Sequence, residues 1–278
     1  MQDKRGIIIS VVNHKGGVGK TAVTVNLADC LGRLGKTVLV VDNDAQSNST
    51  ALLFPDLKMA GCMYDLLDPE TQNLSVADLI YPTNYSNVFI LPNVDDTSAI
   101  EGKLIMAAPH SLMTLRTTLR KYAAENYDVT IIDNPPNMGS FVYCSLLASD
   151  AVIVPIKAGS TFSLRGLAAA LSRIDEVRNQ TDGNPDLRFL RLLINMMDKR
   201  TTISKSISAQ LYSMFPGNQI FGTVIPINTA IEKAEEHNQS VSKFDPAAPA
   251  SRAFKELARE LVAIIDEVEV NGVADGRA

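Results

Sequence analysis

Two lysines and a threonine sit inside a glycine-rich run, Asn13-His14-Lys15-Gly16-Gly17-Val18-Gly19-Lys20-Thr21. Glycines at such spacing let backbone N–H groups curl round anionic oxygens, because only glycine adopts the required dihedrals without strain. A helix beginning at Lys20 would add its positive end to the same spot. In that setting Lys20 reaches the outer phosphates of a nucleotide and the Thr21 hydroxyl ligands Mg²⁺. Further along, Asp42 and Asp44 leave an apolar run two positions apart. Asp133 ends another such run, Val129 to Ile132, and is followed by Asn134-Pro135-Pro136. Carboxylates just past the ends of strands are the residues that line the ligand crevice of an α/β sheet. Asp133 then holds a Mg²⁺-bound water.

These groups need a scaffold, and the sequence pattern supplies one. Short β-branched runs are expected as strands at Ile7–Val12, Val38–Val41, Val88–Leu91, Val129–Ile132, Ala151–Pro155, Arg188–Ile194 and Gln219–Ile225. Helical patterns alternate with them: Thr21–Leu34, short patches near Met63–Leu67 and Val76–Ile80, and a last helix from about Ser251 to Val268. Apolar residues on successive strand positions imply burial on both faces, as in a parallel sheet. The fold class expected is therefore α/β, a doubly wound, mostly parallel sheet with helices on both faces. One domain is expected over 1–278, with an ordered core of about 6–268 and a tail at 269–278.

Composition narrows the function classes. The 278 residues are 46% hydrophobic and 21% charged, which excludes collagen-like and broadly disordered chains. No apolar run reaches the ~18 residues needed to cross a bilayer, and the N-terminus lacks a signal-peptide layout. Cys30, Cys62 and Cys144 are odd in number and widely spaced, as expected of buried reduced thiols in a cytoplasmic protein. A net charge of -5 argues against a uniformly basic nucleic-acid binder, yet Lys157–Lys205 holds nine Lys/Arg against five Asp/Glu.

The string Lys-Gly-Gly-x-Gly-Lys-Thr resembles the deviant Walker A motif of the ParA/MinD family of P-loop ATPases. The resemblance extends from Ile7 to about Val268 and includes Phe244-Asp245-Pro246 before the last helix. It implies an ATPase using ATP and Mg²⁺, with Lys15, Lys20 and Asp44 as catalytic residues. Lys15 would cross an ATP-dependent homodimer to the partner's phosphates, and Asp44 would orient the attacking water. Gly16, Gly17, Val18, Gly19, Thr21 and Ala22 would complete the phosphate site; Thr21, Asp42 and Asp133 would organise the metal, the aspartates through water. Asn195, whose amide can both donate to and accept from adenine, would meet the base together with Pro226 and Ile227. Two departures stand out: Ala45 where the family usually has proline, and Asn134 where threonine is commoner.

Within the family, MinD-like members carry a basic membrane-docking C-terminal helix. Here residues 260–278 hold Glu260, Asp266, Glu267, Glu269 and Asp275 against Arg277, and no membrane partner is expected. Paired cluster cysteines are lacking, and with six residues before the first expected strand no operator-reading module is expected. The short ParA type remains: a nucleoid-associated protein whose dimer binds DNA non-specifically, with a ParB-like partner. Arg165, Arg173, Arg178, Lys199, Arg200 and Lys205 are the candidate phosphate contacts. Two alternatives stay open here. One is a positioning ATPase for a non-DNA cargo. The other is a Rossmann oxidoreductase, since Gly17-Val18-Gly19-Lys20-Thr21-Ala22 also fits G-x-G-x-x-A with Asp42 about twenty residues on.

Overall fold

The structure, a computed structural model, describes residues 5–54, 58–68, 74–159 and 163–274, with side chains described at all of these except 163 and 268–274. Its centre is a seven-stranded sheet made of β1 (Ile7–Val11), β2 (Val38–Asp42), β3 (Tyr81–Pro82), β4 (Val88–Leu91), β5 (Val129–Asp133), β6 (Ala151–Lys157) and β7 (Arg188–Asn195). The spatial order is β3-β4-β2-β5-β1-β6-β7. All pairings are parallel except the two-residue edge β3. The doubly wound α/β architecture expected from the alternating runs is the one observed.

Strand residues alternate between two buried faces, as a pleat with period two requires. Ile9, Val11, Val38, Val40, Ile131 and Ile153 pack under α1 (Lys20–Arg33) and α11 (Pro249–Ala274). Ile8, Leu39, Val41 and Ile132 face the other way, toward α3 (Met63–Leu67), α4 (Ile100–Met106), α5 (Arg120–Asn126) and α6 (Ser140–Ala148). On that side Val152, Val154 and Ile156 meet α6, α7 (Ser163–Asn179) and α8 (Thr202–Met214). The remaining helices are α2 (Asn48–Leu53), α9 (Thr229–Glu236) and α10 (Val241–Phe244). Thus α1, leaving β1, and α6, leaving β5, cover opposite faces of the sheet. Their divergence opens a crevice at the carboxyl ends of those neighbouring strands. Cys30, Cys62 and Cys144 are all buried and none forms a disulfide.

Helices α2 and α6–α10 had no stated range in the pattern-based expectation, and three further regions differ from it. Residues 95–126 are largely helical, where no helix was foreseen. The last helix runs on through Ala274, past Val268: no proline stops it, and Gly272 alone costs a helix only about 1 kcal/mol. Asp275–Ala278 of the expected tail lie outside the described residues. Gln219–Ile225 lies along β7 through isolated bridges and is not a regular strand. Phe221 N and Ile225 N donate to Leu192 O and Ile194 O. Between them, the Glu260 carboxylate of α11 takes Gly222 N at 2.7 Å and Thr223 N at 2.9 Å, and also pairs with Arg191 at 3.2 Å.

Glu260 therefore substitutes for ladder bonds that no further strand offers this segment among the described residues. Glu260→Ala should lower unfolding stability by about 2 kcal/mol, the scale of hydrogen bonds to a charged group. A urea midpoint equal to that of the unsubstituted protein would count against the role.

Candidate active site

The run after β1 forms the expected loop. Gly17 and Gly19 adopt φ of 67° and 81°, the left-handed region that side chains resist. At Gly19 a Cβ would also lie 2.5 Å from Asn195 Nδ2. Two buried asparagines hold the loop in place. Asn13 Nδ2 donates to Pro155 O at 2.7 Å, while its Oδ1 accepts Lys15 N at 3.0 Å. Asn195 Nδ2 donates to Val18 O at 2.7 Å, and its Oδ1 accepts Met196 N. Gly16 and Gly17 face solvent and Lys15 is half-buried, whereas Lys20 is only 7% exposed. Burial pulls the Lys20 ammonium below its ordinary value, opposed by the charges of Asp133 and Asp44.

Beneath the loop lie two fully buried carboxylates. Asp42 and Asp133 are register partners on the adjacent strands β2 and β5. Asp42 Oδ2 accepts from Thr50 N at 2.8 Å and Thr50 Oγ1 at 2.7 Å, and its Oδ1 accepts Asp44 N. Asp133 Oδ2 accepts from Ser49 Oγ at 2.7 Å, and the Thr21 hydroxyl also favours its ionised form. Asp133 Oδ1 has no hydrogen-bond partner. Burial pushes both carboxyls well above their usual range; the Asp133 charge adds to this at Asp42, and the Asp44 charge adds to it at Asp133. An orphaned buried oxygen, a neighbouring hydroxyl and crowded negative charge fit a divalent cation. Among the described residues no group of three or more His, Cys, Asp or Glu side chains could hold one alone. Phosphate oxygens and water would have to complete its shell, as is usual for Mg²⁺.

The loop after β2 is a compact turn. Asp44 Oδ1 accepts Gln46 N at 3.1 Å, Ser47 N donates to Asp44 O, and Ser47 takes a left-handed φ of 53°. Those bonds supply the restraint that Ala45, lacking a proline ring, does not. Asn43 and Asn134, both almost fully buried, join this loop to the Pro135–Pro136 turn. Asn43 Nδ2 donates to Asn134 Oδ1 and to Phe141 O, each at 2.9 Å, and Asn134 Nδ2 donates to Val11 O and Ile132 O. A threonine at 134 has too short an arm for both directions. Asn13, Asn43, Ser49 and Thr50 were not foreseen as part of the site. The only signal was a polar run, Ser47-Asn48-Ser49-Thr50, placed directly after two strand-end carboxylates.

Pro226 and Ile227 line an open cavity of about 520 Å³ together with Met197, Asp198, Lys199, Arg200, Asn228 and Thr229. Asn195 lies below the loop with its amide engaged, as described, rather than among that lining. The six basic candidates all fall on the crossovers around β6 and β7 and divide into two kinds. Arg165, Arg178, Lys199, Arg200 and Lys205 are exposed, although Arg178 approaches Asp175 and Arg200 pairs with Asp198 at 2.9 Å. Arg173 instead turns inward, its Nη2 donating to Met138 O at 2.5 Å and its Nη1 to Glu176. The structure thus separates Arg173 from the other five.

Comparison with known proteins agrees with this geometry. A family profile described as an AAA domain matches residues 6–189. The chromosome-partitioning ATPase Soj of Thermus thermophilus is 35% identical over 93% of this chain and 96% of its own length. The chromosome partitioning protein ParA of Caulobacter vibrioides is 31% identical over 92% of this chain and 93% of its own. Among solved structures, cobyrinic acid a,c-diamide synthase from Mycobacterium smegmatis, with bound ATP analogue and magnesium, superposes with a TM-score of 0.76. It is 28% identical, covering 92% of this chain and 94% of that one.

The raised carboxyls make stability depend on pH with a definite sign. Between the ordinary carboxylate value near 4 and about 7, the folded state binds more protons than the unfolded one. Stability of the nucleotide-free protein should then fall as pH rises through that window. Asp133→Asn should flatten the fall and leave the melting temperature at pH 7.5 equal or higher, while abolishing the extra stabilisation by Mg²⁺ with nucleotide. Differential scanning fluorimetry from pH 5 to 8 reads both; a variant that melts lower yet keeps the Mg²⁺ effect contradicts the assignment.

Proposed function

Since this chain belongs to the ParA family of partitioning ATPases, we propose that it runs a cycle in which Mg²⁺ and ATP pair two copies and the pair binds DNA. The observation that carries this reading is Asp133: fully buried, one oxygen held by Ser49, the other without a partner, beside Lys20, Thr21 and Asp42 under an anion-binding loop. The geometry favours a phosphate ester with its cation over a nicotinamide dinucleotide, which gives Lys20 and Thr21 no task. The likeness to the Mycobacterium smegmatis synthase bound to an ATP analogue and magnesium supports the same ligand pair.

In this reading the N–H groups of Gly16 to Thr21 surround the phosphates, and Lys20 neutralises the outer two. Mg²⁺, when bound, neutralises charge on the phosphate oxygens. Thr21 would hold it directly, and Asp42 and Asp133 through water. Asp44, restrained by its turn, orients the attacking water. Lys15 extends from the exposed rim of the loop to the phosphates of the partner copy and stabilises charge during transfer. The base occupies the cavity by Pro226 and Ile227, whose lining begins at Met197, two residues past Asn195. Loss of the terminal phosphate releases the Asp44 loop and the Pro135–Pro136 turn together, because Asn43 and Asn134 bond them to each other.

The exposed basic residues Arg165, Arg178, Lys199, Arg200 and Lys205 would face DNA phosphates without reading sequence, and pairing two copies doubles their number. A ParB-like partner would stimulate hydrolysis and release the dimer. The setting is the nucleoid in the cytoplasm; among the described residues no helix is long and apolar enough to cross a membrane.

Asp44→Ala should reduce turnover by at least about 100-fold, the scale of a lost proton-handling group, and leave an ATP-bound dimer on DNA. Unchanged turnover would remove its role. Lys15→Ala should bind nucleotide but fail to sediment as an ATP-dependent dimer. For the unsubstituted protein, DNA binding should require ATP and weaken with salt at a slope of about −0.9 per neutralised phosphate; salt-independent or absent binding would point to a cargo other than DNA.

A further inference from the structure

Helix α7 touches both nucleotide-facing loops of its own subunit. In its first turn Gly166 lies so close to the phosphate loop that a Cβ there would stand 2.7 Å from Asn13 Oδ1 and 3.4 Å from Lys15 Cβ. Seven residues later, two turns on and on the same face, Arg173 Nη2 donates to Met138 O at 2.5 Å. Met138 is two residues past Pro136, in the turn that leads into α6. The other arm of the guanidinium, Nη1, bonds both Glu176 oxygens at 2.8 and 2.7 Å. Glu176 in turn accepts Gln180 Nε2, and Gln180 meets the Tyr143 hydroxyl of α6. From the opposite side the Ser140 hydroxyl donates to Glu101 of α4 at 2.9 Å. Arg173 is 27% exposed at its side chain, against 46% for Arg178 and 86% for Arg200.

We propose that Arg173 is a positioning residue that locks α7 to the Pro135–Met138 turn, so that α7 carries a change at the phosphates to the surface bearing Arg165 and Arg178. The proposal rests on the ATP cycle described above. A helix is stiff along its axis, and this one is fixed to the phosphate loop at Gly166 and to the turn at Arg173. The phosphate loop is itself pinned by Asn13 and Asn195, so the shift that moves the element enters from the turn through Arg173. The guanidinium suits this task because its rigid fork bonds a carbonyl and a carboxylate at once; a lysine ammonium, a point charge on a flexible stem, does not reproduce that geometry. The same commitment takes Arg173 away from DNA.

Hydrogen exchange of the full-length protein with Mg²⁺–ADP, or with Mg²⁺ and a slowly hydrolysed ATP analogue, tests the lock. In the unsubstituted protein, segments 135–140 and 164–171 should change protection together between the two nucleotides. In Arg173→Ala the first should still respond and the second should lose most of its response. ATP KM should stay within about twofold while kcat falls about tenfold, the equivalent of one charge-assisted hydrogen bond. Arg173→Lys should not restore it. Glu176→Gln, which loosens the guanidinium without removing it, should give an intermediate response and serves if Arg173→Ala melts early. A 164–171 segment that responds equally in Arg173→Ala, or that never responds in the unsubstituted protein, overturns the proposal. So does a DNA salt slope that drops in Arg173→Ala by as much as in Arg200→Ala, about one unit for a phosphate contact. If the unsubstituted protein binds nucleotide but no DNA, the DNA reading fails and the exchange result still decides the lock. If it binds no nucleotide, both fall.

Discussion

Two carboxylates buried side by side are the constraint on which the site is built. Parallel pairing of β2 with β5 places Asp42 directly opposite Asp133, and neither retains any exposure to solvent. Two ionised carboxylates in that position repel each other and lose hydration, so the fold alone favours protonating them. Lys20 from the neighbouring loop and the hydroxyls of Thr21, Ser49 and Thr50 offset part of that cost. What they leave uncompensated is a demand for more positive charge at one place, the point where the phosphate loop, α2 and the Pro135–Pro136 turn converge. The same tension that destabilises the empty protein is what makes a cation with its phosphates a favourable guest. Stability and ligand affinity are drawn from one source here.

Around that charged node the connections are made by neutral amides. Asn13 ties the loop to β6, Asn195 ties it to β7, and the Asn43–Asn134 pair ties β2 to β5 and back to β1. An amide offers both a donor and an acceptor on one arm without adding charge to a region already overfull of it. Further lysines or aspartates could bridge the same gaps only by enlarging the desolvation cost. The amides also define what moves together. A loop bonded through Asn43 to its neighbour cannot relax alone, whereas one held by separate waters could.

The sequence pattern revealed some layers of this arrangement and concealed others for physical reasons. β1, β2, β4, β5 and β6 were visible because burial on both faces demands apolar runs, and β7 from its buried half, Leu192–Ile194. The phosphate loop was visible because left-handed backbone at positions 17 and 19 demands glycine. Gln219–Ile225 has the same apolar character as those strands, yet its hydrogen bonds go partly to Glu260, 38 residues away from Gly222. No local pattern announces such a partner. Residues 95–126 were missed because their helices are short and broken by Pro109, so no long 3.6-residue period develops. Ser49, Thr50, Asn43 and Asn13 were missed because hydroxyls and amides after a strand look like ordinary turn formers; only the fold shows that Ser49 and Thr50 meet buried carboxylates and that Asn43 and Asn13 bond neighbouring loops and strands.

The basic excess of the middle third shows why counted charge and available charge differ. Nine Lys/Arg against five Asp/Glu over Lys157–Lys205 reads as a surface field. Folding assigns much of it elsewhere: Arg191 goes to Glu260, Arg200 lies on Asp198, Arg178 approaches Asp175, and Arg173 goes to Glu176 and a carbonyl. Arg200 is 86% exposed, so water screens its end of the pair with Asp198 and it can exchange that partner for a phosphate at small cost. Arg173, at 27% exposure, would give up a carbonyl and a carboxylate together if it left. Exposure therefore sorts the arginines by task. Those free to trade partners belong to a surface, and those that are not belong to the machinery beneath it.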